Sequence, residues 1–300
     1  MTDILTWLTE PLSHGFMSRA LVATLISASV CALLSCWLVQ IGWSLMGDAV
    51  SHAVFPGVVF AHMIGVPFAL GAFIFGAGAV GLIGALQSRT TLKSDTTIGV
   101  VFTSLFALGI AVNSVFPSQV DLNHILFGNI LGVGVNDLLL VAIVGFASGA
   151  VLLLKRRDLT LYAFDPVQAH TLGIRVRGLR ILLLLILALV VVITLQTVGI
   201  ILVVAMLIIP GATALLVSGR MSRILPIAVV SALVSSMVGV YAAYYLNASV
   251  GGVVVLTQAA LFMLALVLGP RGGLLPNMLR SRRAAQTSRV PESGVLVGVN

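Results

Sequence analysis

Asp48 and His52 are the two residues of this sequence whose types and spacing point most directly to chemistry. They stand in Gly47-Asp48-Ala49-Val50-Ser51-His52, four positions apart, so on a helix they share one face, with Ser51 close to it. A carboxylate and an imidazole held together suit a divalent ion such as Mn2+, Fe2+ or Zn2+. Two ligands are too few to strip a hydrated cation. A two-fold pair of chains would bring a second Asp48 and His52 to the axis and double the set. Pro56 and Gly57 follow and can loosen the helix, freeing backbone carbonyls. On spacing alone two other readings stay open: an internal Asp–His pair that tightens helix packing, and a proton relay.

The setting makes the pair unusual. The 300 residues hold 16 basic and 9 acidic side chains, so 8% are charged against 59% hydrophobic, and mean hydropathy is +1.17. Soluble domains carry about a quarter charged residues. Composition therefore excludes a water-soluble globule, a disordered chain and a secreted disulfide scaffold. The net charge of +7 does not indicate a nucleic-acid partner, because the basic residues sit in short clusters between long apolar runs. The chain reads as an all-α, polytopic membrane protein in the lipid bilayer.

Nine runs have the length of about 20 residues that crosses a bilayer: Phe16–Val39, Ile41–Gly65, Pro67–Gln87, Thr96–Val115, Leu138–Leu154, Leu179–Gln196, Gly199–Val217, Leu225–Leu246 and Val253–Leu268. Nine spans put Arg89/Lys93, Lys155/Arg156/Arg157, Arg175/Arg177/Arg180, Arg220/Arg223 and the basic residues from Arg271 onward on one side, the cytoplasm by the positive-inside rule. The N-terminus then lies outside and the C-terminus inside. If the uncharged turn at Thr197–Gly199 is not a hairpin, the count falls to eight. No cleavable signal peptide is legible; an amphipathic stretch, Ile4–Leu12, precedes the first span. One transmembrane domain, residues 1–275 with a cytoplasmic segment at 155–180, is followed by a flexible cytoplasmic tail at 276–300.

Of the nine carboxylates only Asp48 falls within a span. An ionisable group at membrane depth is costly and a functional candidate by default. Asp121 and His124 lie in the longest external loop, Phe116–Asp137, which is half apolar and predicts a short helix at the mouth of the protein; they could meet an incoming ion or simply face solvent. His62 is about 80° round the helix from His52 and reads as interfacial. Cys31 and Cys36 face different directions on one helix, which predicts neither a disulfide nor a thiolate metal pair. Gly76, Gly78, Gly81 and Gly84 read as a helix-packing surface. In the cytoplasmic segment, Asp165 suits an N-cap, Pro166 the first helical position and Gly173 the C-terminal cap. So short a helix needs a partner surface, either the membrane or another protein.

Absent motifs narrow the classes further. There is no G-x-x-x-x-G-K-[ST] loop, and neither lysine, Lys93 nor Lys155, sits in a glycine loop, so any ATP hydrolysis belongs to another chain. There is no H-E-x-x-H and no second intramembrane aspartate, and Ser51 next to His52 has the wrong geometry for a nucleophile. The residues indicate a transport subunit rather than an enzyme.

Three stretches resemble the ABC-type manganese/iron/zinc importer permeases: Gly42–Val59 (GWSLMGDAVSHAVFPGVV), His124–Gly132 (HILFGNILG) and Thr197–Thr213 (TVGIILVVAMLIIPGAT), within a similarity spanning roughly residues 5–275. Ser51, where zinc members tend to carry Ala, is closer to the manganese/iron branch. The resemblance implies a cobalamin-importer-like ABC permease fold of eight or nine helices in a bacterial inner membrane. It implies a cytoplasmic ABC ATPase dimer, an extracytoplasmic metal-binding protein, and a second permease copy or a sibling permease. It assigns the intramembrane metal site to Asp48 and His52, an outer gate to the region of Asp121 and His124, and an ATPase-coupling helix to Asp165, Pro166, Val167, Gln168, Ala169, His170, Thr171 and Leu172. No cofactor is held permanently; the metal is cargo. Gln40 and Ile41 stand where the family often carries a basic residue. A reading from another class is a proton-coupled secondary metal transporter or channel that titrates Asp48; a third is a structural subunit.

Overall fold

A computed structural model describes Glu10 and residues 13–116 and 130–273. These form helices α1 (Gly15–Ile41), α2 (Met46–Ile64), α3 (Phe68–Arg89) and α4 (Ser94–Val115), then a 3-10 turn at Ile130–Gly132. There follow α5 (Val135–Leu154), two short helices α6 (Arg156–Phe164) and α7 (Pro166–Thr171), and then α8 (Val176–Val198), α9 (Ile200–Val217), α10 (Met221–Leu246) and α11 (Val250–Leu268). Among the described residues there is no strand. Asp121 and His124, the predicted helix in their loop and the tail at 276–300 lie outside the described residues.

Eight of the helices are long and apolar enough to cross a membrane. The ninth long helix, α2, has 19 residues, but Asp48, His52 and His62 lower its hydropathy. It is tolerated because neighbouring helices shelter it: 13 of its residues are buried. In lipid, helices gain little from hydrophobic burial against one another, so close backbone approach and dispersion hold them. α2 uses this three times. Gly57 meets Gly71 of α3 backbone to backbone, Gly109 of α4 lies against Phe55 and Pro56, and Gly47 lies against Leu207 of α9. The long α1 runs through the middle of the fold, with Trp37, Leu34 and Leu38 fully buried.

The turn at Thr197–Gly199 is a true reversal. Gly199 takes φ +80° and ψ 165°, separating α8 from α9. Leu202 and the Val198 carbonyl both lie by Gly251 at the start of α11, while Leu216 lies by Gly269 and Gly272 at its far end. α9 therefore descends from the end that α8 climbs to, and nine helices alternate among the described residues. Basic residues gather at one end of the bundle: Arg89, Arg177 and Arg180 line one cavity, Arg180 lies near Tyr162 of α6, Arg156 and Arg157 line another cavity with Met221 and Ser222, and Arg271 lies against Gly219.

The second predicted span starts later than its apolar run suggests. Gly42 is left-handed (φ 85°), its N–H bonds the Val39 carbonyl at 3.2 Å and the Trp43 N–H bonds Leu38 at 2.7 Å, closing α1 with a Schellman-type cap. α2 then begins at Met46, with Asp48 in its first turn. Of the four glycines expected to pack, only Gly76 does, against Val50, Val54 and Val192; Gly78 and Gly81 touch nothing and Gly84 only Arg180. The two cysteines are free and buried.

Candidate metal site

Asp48 and His52 are brought together as their spacing requires. The His52 Nε2 lies 3.3 Å from Asp48 Oδ1. A first-turn carboxylate is favourable at the positive end of the helix dipole. Ser51, by contrast, is buried and donates to the Gly47 carbonyl at 2.9 Å, so it braces the helix rather than joining the pair. From Met46 to Val59, Asp48 and His52 are the two residues that are not buried. Their side chains are 31% and 23% exposed, so the pair opens onto the surface of the chain, not into its interior. Gly47 sits level with Leu207, near the middle of α9, which puts the opening near mid-depth of the bundle.

The wall beside the pair comes from α4. The His52 ring packs edge-on against Phe106 at 5.1 Å between centroids and tilted against Phe102 at 5.7 Å. These rings fix the imidazole, and sequence reasoning missed them. Their four-residue spacing is legible, but the span carries no charge beyond Asp95 and nothing in it marks which neighbour that face meets. His52 Nδ1 is buried without a hydrogen-bond partner among the described residues. Pro56 has no N–H to offer the His52 carbonyl four residues back, so that oxygen is a further acceptor next to the imidazole. Among the described residues no three His, Cys, Asp or Glu converge on a metal site. His62 is exposed at the end of α2, its ring tilted against Phe68 at 5.9 Å between centroids, apart from the pair.

Residues 13–269 match the ABC 3 transport family. The chain belongs to the ABC 3 transport family. Similar to this ABC 3 family chain is the manganese transport system membrane protein MntB of Synechocystis sp. (strain PCC 6803), 46% identical over 276 residues, 92% of this chain and 90% of that one. The chelated iron transport system membrane protein YfeD of Yersinia pestis is 40% identical over 267 residues, 89% of this chain and 90% of that one. Among solved structures, a chain of PsaBC from Streptococcus pneumoniae, in complex with Fab, superposes with TM-score 0.82 at 34% identity over 93% of this chain and 99% of that one. A chain described as a metal-chelate type ABC transporter, inward-facing, gives TM-score 0.65 at 20% identity over 83% and 85% of the two chains and shows the shared permease fold.

The other candidate segment of this ABC 3 family chain is α7. Asp165 Oδ1 accepts the N–H groups of Val167 and Gln168, each at 2.9 Å, Pro166 opens the helix and Gly173 closes it with φ +79°. Val167 and Leu172 are 72% and 65% exposed, an apolar tip that this end of the bundle leaves open. Asp165→Ala leaves two N–H groups unsatisfied and should cost the segment about 1 kcal/mol. Amide exchange at residues 165–173 should quicken several-fold while α8 stays protected. Unchanged exchange there would show that the cap does not hold the helix.

Proposed function

We propose that this chain is the membrane-spanning permease subunit of a binding-protein-dependent ABC importer that carries Mn2+ or Fe2+, with Zn2+ a poorer fit. The manganese and iron transport names of its relatives support the class. The observation that carries the site is that Asp48 and His52 are the two residues of the Met46–Val59 stretch that are not buried, at mid-depth. An aspartate facing hydrocarbon there would cost about 2.5–3.5 kcal/mol. The opening therefore belongs against a second permease chain, a copy or a sibling, and the ion passes between the two. Each chain contributes one hard oxygen ligand and one imidazole, a mixed set that suits Mn2+ and Fe2+. Without an ion the Nε2–H donates to Asp48. With an ion Nε2 must offer its lone pair, and the imidazole proton moves to Nδ1.

In this reading the basic end faces the cytoplasm, where an ABC ATPase dimer takes the apolar tip at Val167 and Leu172, and an extracytoplasmic metal-binding protein docks at the opposite end. ATP binding and hydrolysis shift α7, and the helices rock between outward and inward access. The test is transport in proteoliposomes holding the co-purified ATPase. Mn2+ uptake should require ATP and survive an uncoupler. Uptake driven by a pH gradient without ATP would instead establish the proton-coupled reading of Asp48.

A further inference from the structure

A cavity of about 1040 Å³ lies away from the Asp48–His52 opening, in a groove bounded by α3, α7 and α8. Its rim is basic: Arg89 ends α3, Arg177 and Arg180 begin α8, and His170 of α7 joins them. No carboxylate among the described residues lies within ion-pair distance of these three arginines. Arg180 is held in place instead of neutralised. Its Nη2 donates to Gln87 Oε1 at 2.7 Å, and its guanidinium stacks 5.3 Å from the Trp43 ring centroid. Burial pushes the nearby Tyr162 phenol above its ordinary range, with Arg180 pulling the other way, so that tyrosine does not offset the charge. The Gln87 Nε2 is buried with no hydrogen-bond partner among the described residues.

Beyond the rim the walls are apolar and narrow-residued. Ala77, Gly81, Gly84 and Ala85 of α3 face Ile181 and Leu185 of α8. From Arg89 to Ala77 the slot runs about 18 Å along the helix, from the membrane end into the hydrocarbon depth. A Cβ on Gly81 would touch nothing, so the slot is open space rather than a packed seam. α4, which walls the Asp48–His52 opening, does not line it.

The geometry points to a binding site for one anionic phospholipid of the leaflet on the basic side: its phosphate among Arg89, Arg177 and Arg180, an acyl chain along Gly81 and Leu185. A free phosphate would use the rim and leave the slot idle, whereas a soluble protein segment cannot follow the slot into the bilayer. Because Val167, His170 and Thr171 of α7 form one side of the groove, the bound lipid braces the helix proposed to meet the ATPase. The leaflet assignment rests on the cytoplasmic reading of the basic end; the site rests on no property of Asp48 or His52.

The test uses the purified permease–ATPase complex in neutral detergent. Phosphatidylglycerol should raise its melting temperature and be retained through washing. Phosphatidylcholine and inorganic phosphate should do neither. Arg89→Gln with Arg177→Gln should weaken phosphatidylglycerol binding by about fivefold per arginine. Gly81→Leu, which fills the slot and keeps every charge, should abolish retention while the complex still assembles. Equal protection by inorganic phosphate would make the rim a free-anion site and overturn the proposal. So would undiminished retention in Gly81→Leu, or lipid retained by the isolated permease but excluded from the complex.

Discussion

Asp48→Ala should lower ATP-driven Mn2+ uptake by at least about 100-fold while the complex still assembles and hydrolyses ATP. Even outer-shell partners of metal sites are worth about 10- to 100-fold in affinity or activity, and this substitution removes a proposed direct ligand from a pair that no third His, Cys, Asp or Glu joins among the described residues. Asp48→Asn separates the readings. The amide keeps the shape and a hydrogen bond to His52, 3.3 Å away, but removes the charge that replaces lost hydration around the cation. If the pair only packs α2 against its neighbours, Asp48→Asn should transport like the natural protein. If the carboxylate binds the ion, Asp48→Asn should fail almost as fully as Asp48→Ala. His52→Ala should also abolish uptake, whereas Ser51→Ala, whose hydroxyl donates to the Gly47 carbonyl of its own helix, should leave the metal preference unchanged.

Gly57→Val should prevent the bundle from forming. A Cβ at Gly57 would come within 2.8 Å of the Gly71 carbonyl carbon and 2.9 Å of Phe75 Cβ, and one at Gly71 within 2.7 Å of Ala61 Cβ. Two backbones meet there, so no rotamer change relieves the clash and the helices must separate. Overpacking costs about 1–3 kcal/mol where side chains can shift; here they cannot, and the valine should exceed that range. Gly57→Ala should sit within or above it. Gly78→Ala in the neighbouring helix, where a Cβ touches nothing, should be neutral or slightly stabilising, because alanine is the better helix former. Thermal unfolding monitored by size-exclusion chromatography distinguishes them; equal melting of Gly57→Ala and Gly78→Ala would contradict the backbone contact. The consequence reaches the site, since α2 carries Asp48 and is positioned by this crossing.

Much of this is legible in the amino-acid sequence. Nine apolar runs of membrane length anticipate the nine long helices among the described residues, eight of them long and apolar enough to cross a membrane, and Asp165-Pro166 with Gly173 anticipates the limits of α7. What stayed hidden has common physical causes. Trp43 to Met46 look like span interior because they are mostly apolar, yet Gly42 turns the chain with a conformation that composition does not report. α6 is not anticipated, because the basic run Arg156-Arg157 marks sidedness and not a helix. The pairing of Asp48 with His52 follows from helix periodicity, but the direction in which they open depends on where α3, α4 and α9 pack. Those contacts are set by Gly57, Gly109 and Gly47, and a glycine in a membrane span does not announce its partner. Gly81 and Gly84 make the same point in reverse: small residues that suggested a packing seam line an open groove.

The central claim, a divalent ion held by Asp48 and His52 between two permease chains, is tested most directly by metal stoichiometry. Mn2+ bound to the purified complex, counted by elemental analysis and followed by electron paramagnetic resonance, should reach one ion per pair of permease chains and show nitrogen coordination. Asp48→Ala/His52→Ala should reduce it to none with the complex intact. One ion per single permease chain, or undiminished Mn2+ in the double variant, would contradict the account.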